Sequence, residues 1–234
     1  MLVVIAATVA SYALGSWLGV PALLPVLNAA TAWWIMATEL RAGRTSRAIA
    51  VMLVWAVVMA VCATTMAATG WSRGPDDRAL FLRGGYRDEM LTWVRTGEGA
   101  ESTPSVFVPR HLATAAVFVA ASAGSGGLAS MPMGALQMNS MGEYVGAMAA
   151  GSDRPVLSAV LGWHPWAVAR VVAFVILGVV FSGVVLSRLF AFPFSIAKHG
   201  GLVGLAASLL VFDIGLKWAL APAWGRLLRR VAGW

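Results

Sequence analysis

AIAVMLVWAVVMAVCATTMAA, residues 48–68, holds no charged side chain and no proline, with Arg47 just before it and Gly70 and Trp71 just after it. At about 1.5 Å of rise per residue, a helix through this run spans roughly 30 Å, the thickness of a bilayer's hydrocarbon core. Inside lipid every backbone N–H and C=O must be satisfied within the protein, so a continuous apolar run of this length reads as a transmembrane helix. Arg47 and Trp71 are the flanking residues such a helix uses to anchor its ends at the interface.

The rest of the chain carries the same signal. Of 234 residues, 59% are hydrophobic and 12% charged, with a mean hydropathy of +0.79; an ordinary soluble domain has about a quarter of its residues charged. The formal charge of +7 comes from 17 Lys and Arg against 10 Asp and Glu. Several of these basic residues lie near the ends of apolar runs, where they set topology, so the charge implies the lipid bilayer as partner and no nucleic acid. Cys62, the single cysteine, excludes an intrachain disulfide. The first residues, Met1 to Val4, lack a basic region and apolar character persists to Ala37, which favours a retained membrane segment over a cleaved signal.

Residues 1–38 are uncharged, with Pro21 and Pro25 predicting a turn or kink near residues 19–25. Trp33 and Trp34 then mark an interface ahead of Arg41, Arg44 and Arg47. The only substantial polar segment is residues 71–110, with six arginines balanced by six acidic residues. Within it Tyr86, Met90, Trp93 and Val94 recur at helical spacing, which predicts an amphipathic helix on the membrane surface or against a partner. Residues 96–104 read as a loop. Residues 111–150 contain one charge, Glu143, and a break at Gly124 to Gly127 followed by Pro132, which predicts a helical hairpin, broken and open to a re-entrant path. Further spans follow over residues 166–186 and 200–221, and the tail carries Arg226, Arg229 and Arg230.

The expected fold is all-α: a polytopic transmembrane bundle forming a single integral membrane domain over residues 1–234, with about six spans, between five and seven. A bacterial cytoplasmic (inner) membrane is the expected location. The Arg41 to Arg47 loop and the C-terminal tail both favour the cytoplasmic side, yet five crossings between them place them on opposite sides.

Glu143 is the most informative polar residue, because a carboxylate inside a span is costly unless protonated, paired or hydrated. Gln137 and Asn139 share its helix, and Arg170 on the next span is the expected arginine partner. Asp213 and Lys217 stand at i and i+4, a spacing that pairs acid with base on one helix face. His111, His164 and His199 each stand near the start of a predicted span. Haem or another tetrapyrrole would need two of them at matching depth on facing helices, and a metal would need tighter clustering with carboxylates, so no cofactor and no metal are expected. Gly15 with Gly19, Gly142 with Gly146, and Gly200 with Gly204 are small-xxx-small pairs that permit close helix approach.

Two short patterns resemble known membrane families. Gly124-Ser125-Gly126 resembles the serine motif of rhomboid intramembrane proteases, and His199 followed by Gly200, Gly201 and Gly204 resembles their histidine helix; the resemblance implies Ser125 as nucleophile and His199 as base. Asn139 falls between the two, whereas the rhomboid asparagine precedes the serine. His111, Asn139 and the His164-Pro165 pair are similar in spacing to the stage II sporulation protein M-like family, which implies only a membrane partner protein; the proline before histidine and the acidic residue soon after are missing here. No Walker A, HExxH, CxxC or strand-linked GxGxxG sequence is present.

The sequence therefore implies a non-catalytic integral subunit or assembly factor, contacting other membrane protein subunits through its surface loop and glycine-faced helices. A small proton- or ion-coupled transporter built on Glu143, and an intramembrane serine hydrolase built on Ser125 and His199, are the alternatives.

Overall fold

A computed structural model describes residues 1–19, 23–71, 85–99 and 102–234. Every regular element in the described residues is helical. In chain order these are α1 (Leu2–Leu18), α2 (Leu24–Arg41), α3 (Thr45–Thr69), α4 (Gly85–Thr96), α5 (Pro104–Ser125), α6 (Ser130–Ala150), α7 (Pro155–Gly162), α8 (Pro165–Leu189) and α9 (Gly200–Ala232), with a 3₁₀ turn at Ile196–His199 before α9. Part of the turn expected near residues 19–25, and residues 72–84 of the polar segment, lie outside the described residues.

Local sequence sets these boundaries. Pro104, Pro155 and Pro165 open α5, α7 and α8, where the missing N–H is one the helix would leave unpaired and the fixed φ suits the first turn. Gly70 and Gly126 close α3 and α5 in the left-handed conformation, φ 73° and 61°, that side chains with a Cβ adopt only with strain. Gly127 follows at φ 92°, so the break expected at residues 124–127 is the turn between α5 and α6.

Among the described residues four helical segments are long and apolar enough to cross a membrane: Thr45–Thr69, Pro104–Ser125, Pro165–Leu189 and Ile196–Ala232. α1 is apolar but shorter. Large apolar side chains such as Val57, Val61, Val117, Val168 and Val211 point outward, so the exterior of these helices carries extensive apolar surface. Lipid satisfies such a surface and water does not.

Contacts between loops define two ends. At the first, Trp33 Nε1 donates to the Gly126 carbonyl at 2.8 Å, the Arg41 guanidinium lies 5.0 Å from the Phe190 ring centroid, and His199 Nε2 meets Thr45 Oγ1 at 3.0 Å. At the second, Trp234 Nε1 donates to the Gly151 carbonyl at 3.1 Å and the Arg95 guanidinium lies 4.6 Å from the Trp234 ring. Between these ends run α3, α5, α6, α8 and α9, five antiparallel traverses. The Arg41 to Arg47 loop and the C-terminal tail therefore sit at opposite ends of the bundle, and the positive-inside bias can hold for only one of them.

α6 runs through the centre, packed chiefly on α3. A Cβ on Gly142 would come within 2.4 Å of Ala63 Cβ, and one on Gly146 within 2.4 Å of the Thr64 carbonyl oxygen. Glycine is what lets the two backbones meet. The amphipathic helix expected around residues 86–94 forms as α4, and its apolar face is fully used within the chain: Met90, Trp93 and Val94 are buried against residues of α6, α8 and α9, including Tyr144, Trp166 and Leu228. A lipid surface or partner is not what covers that face.

Candidate functional site: polar groups around an intramembrane cavity

The bundle holds a half-open cavity of about 570 Å³ whose walls come from α3, α5, α6 and α8, with α2 and α4 at its two extremities. Its charged residues and His111 gather toward the α4 end, Glu89, Arg110 and His111 with Thr114 beside them and Arg170, Gln137 and Ser140 on the walls, while Ser130 lines the opposite end. Arg110 Nη1 lies 3.1 Å from Glu89 Oε1, joining the first turns of α5 to α4. The His111 ring uses Nδ1 on the Phe107 carbonyl at 2.7 Å; a carbonyl only accepts, so this nitrogen carries the proton.

Arg170 is expected beside Glu143, and the structure gives it a different acid. Its Nε and Nη2 donate to the two carboxylate oxygens of Asp213 at 2.8 and 2.9 Å, a bidentate clamp between α8 and α9. Asp213 is 1% exposed. A lone carboxylate at that depth would cost about 2.5–3.5 kcal/mol on insertion scales, so the guanidinium is what makes the position tenable. Lys217, one turn further along α9 and also 1% exposed, places Nζ 4.5 Å from the Phe107 ring centroid in a cation–π contact. It is buried in the bundle, where an interfacial, solvent-reaching lysine would be expected from its place near the end of the predicted span.

Glu143 lies 3.4 Å from Arg87 Nη1 of α4, with the two side chains 33% and 37% exposed. Both stay partly accessible, and such a pair contributes up to about 1 kcal/mol. Asn139 is elsewhere again: its Oδ1 accepts a hydrogen bond from the Tyr12 hydroxyl of α1. The six polar residues singled out by sequence thus divide into an α8–α9 clamp (Arg170, Asp213, with Lys217 beside it), an α4–α6 contact (Glu143), an α1–α6 contact (Asn139) and a cavity wall (Gln137).

The three histidines do not converge. His164 is buried at the N-terminus of α8, stacked on Trp166 with centroids 4.7 Å apart and 3.4 Å from the Tyr144 hydroxyl. It stands at the start of α8, as its place near the start of a predicted span implies, with its ring buried. His199 spends Nδ1 on the Ser195 carbonyl and Nε2 on Thr45. Ser125 donates to the Ala121 carbonyl at 2.6 Å and accepts from the Ala129 N–H at 2.9 Å. Serine and histidine therefore each hold the ends of their own turns, and no hydrogen bond joins them. Among the described residues no group of three His, Cys, Asp or Glu side chains is placed to hold a metal ion.

Sequence reasoning missed Tyr12, Arg87 and the Arg110–Glu89 pair. Arg87 had a signal, since it sits on the polar side of a helix whose apolar face must be buried. Tyr12 had none, because its partner is 127 positions away. Compared with known proteins, the chain matches no family model, no curated sequence and no solved structure.

Proposed function

We propose that this chain is a non-catalytic integral subunit or assembly factor of a larger membrane complex, with six traverses in a bacterial inner membrane and α9 as the helix that meets a partner. One observation carries the reading. α9 presents an outward stripe of small residues, Gly201, Gly204, Ser208 and Gly215, and a Cβ on any of its three glycines would meet nothing within 4 Å. Val211 and Trp218 continue the stripe, 73% and 66% exposed. Small-residue faces are how membrane helices approach each other closely, because lipid offers no hydrophobic drive for association. The other two glycine pairs are not open along a helix face in this way: Gly142 and Gly146 meet α3, and Gly15 meets Leu24 while Gly19 is the left-handed residue that ends α1.

Extraction of native membranes in mild detergent tests the reading. A stoichiometric membrane protein should co-purify and should be lost from Gly204→Leu, while that variant keeps the wild-type elution volume of the isolated chain. Recovery of the chain alone, monodisperse, would remove the proposal.

The transporter reading rests on Glu143 being partly accessible with a counter-charge at 3.4 Å, a pair that can open and close. Its test is separate: Glu143→Gln should abolish pH-dependent flux in proteoliposomes and leave folding intact, and unchanged flux would take the residue out of the mechanism.

A further inference from the structure

Most polar side chains lining the cavity already have their partners inside the protein. Arg110 and Glu89 hold each other and Arg170 is clamped on Asp213, so no lining charge is left over for a charged ligand. Thr114 donates to the Arg110 carbonyl, Ser140 to that of Leu136 and Ser130 to that of Gly127. Tyr86 donates to the Met141 sulfur and the Trp163 indole to Thr64. The Trp55 indole N–H has no partner, but it is sealed inside the wall. Two groups with spare capacity remain among the described lining residues. One is Nε2 of His111, an acceptor in the neutral ring whose Nδ1 proton is spent on Phe107; the other is the exposed amide of Gln137.

We infer that this cavity binds a single-chain neutral lipid alcohol, its hydroxyl donating to His111 Nε2 and accepting from the Gln137 amide, its chain lying among the methionines. Phe118 of α5 lies against Gly134 of α6 and Gly178 of α8, so these three mark one level of the bundle. From that level His111 is two turns along α5 and Gln137 one turn along α6, both toward the α4 end, which sets them about 6 Å apart along the axis. In the opposite direction the walls turn to Met131, Met52, Met36 and Val179. Unbranched thioether side chains repack around a flexible apolar occupant at little cost. A hydroxyl is the smallest head that donates and accepts at once, and it carries no charge that would need a counter-ion in a lining whose charges are paired. The volume of about 570 Å³ falls within the range of about 300–1,000 Å³ seen for small-molecule sites. The site is independent of the partner helix proposed for α9, which lies on an outward face.

The full chain is reconstituted in phosphatidylcholine nanodiscs and photolabelled with oleyl alcohol carrying a mid-chain diazirine, and the insertion sites are read by peptide mass spectrometry. Met131 and Met138 are each 7% exposed, so label there reports the cavity, whereas label at the outward Val117, 55% exposed, reports the bilayer. Label at the two methionines should saturate. Unlabelled oleyl alcohol should displace it at about fivefold lower concentration than oleyl methyl ether, which accepts but cannot donate, the value of one neutral hydrogen bond. Oleyl phosphate, the same chain with an anionic head, should displace it less well than the alcohol. Geranylgeraniol, the same hydroxyl on an isoprenoid chain, tells the two lipid sources apart, and for either chain the ether should be the weaker competitor. His111→Phe should erase the advantage of alcohol over ether, and His111→Gln, which offers an amide oxygen in its place, should restore most of it. Equal displacement by alcohol and ether, stronger displacement by the phosphate, an advantage that survives His111→Phe, or label confined to outward residues overturns the inference. Should His111→Phe fail to fold, the competition on the wild-type chain decides the question alone.

Discussion

α6 and α9 carry the same two ingredients, a small-xxx-small glycine pair and an intramembrane acid, and the fold uses them in opposite ways. On α6 the glycines are sealed against α3 and the acid, Glu143, faces α4 with a third of its side chain accessible. On α9 the glycines face outward with nothing near them and the acid, Asp213, is sealed against Arg170. The acid cannot stand on the close-packed glycine face, because two backbones meet there without room for a carboxylate and its counter-ion. Each helix therefore places its acid away from its glycines, and the position of the helix in the bundle decides which of the two is inside. α6 is central; for α9 17% of the most apolar window is buried, against 50% for α8.

The contrast can be broken at four points. Gly146→Leu should have the largest effect, since even a Cβ there would lie 2.4 Å from the Thr64 carbonyl oxygen; no monodisperse protein is expected on size exclusion in detergent. The milder Gly146→Ala should cost about 1–3 kcal/mol by thermal unfolding, as overpacking does. Next comes Arg170→Met, which leaves Asp213 buried without its clamp and should cost about 3–5 kcal/mol. Adding Asp213→Leu to it should recover much of the loss, because a buried pair replaced by apolar groups is often neutral, and a double variant no better than the single would show that the clamp is not the source. Glu143→Gln should shift stability by less than about 1 kcal/mol, the ordinary range for a half-exposed pair. A loss as large as that of Arg170→Met would mean Glu143 is as tightly bound as Asp213 and would collapse the comparison. Gly204→Leu should be the smallest, within about 0.5 kcal/mol, and detectable only through partner recovery.

Much of the fold was legible because lipid imposes simple rules. The uncharged run at residues 48–68 became α3, the glycines at 124–127 became the α5–α6 turn, and the spacing of Tyr86, Met90, Trp93 and Val94 became α4. These readings depend on local periodicity and on which residues can end a helix, both encoded within a few positions. The expectation of about six spans went further than hydropathy supports, because α2 ends in Glu39 and Arg41 and α6 carries Gln137, Asn139 and Glu143; among the described residues four segments are apolar enough by themselves. Glu143, Asp213 and Arg170 were recognisable as costly residues that need partners. Their partners were not readable, since the side chain that meets a helix face depends on helix rotation and neighbour choice.

By itself, then, the sequence determined the solvent, the helical class, the places where helices break and the residues that cannot stand alone in lipid. The tertiary structure decided that Arg170 belongs to Asp213 and Arg87 to Glu143, that one glycine face is closed and another open, and that six methionines scattered from position 36 to position 141 line a single space. The physical reason is range: hydropathy and helix termination act over a few residues, whereas pairing and cavity shape arise from segments that meet only when the bundle closes.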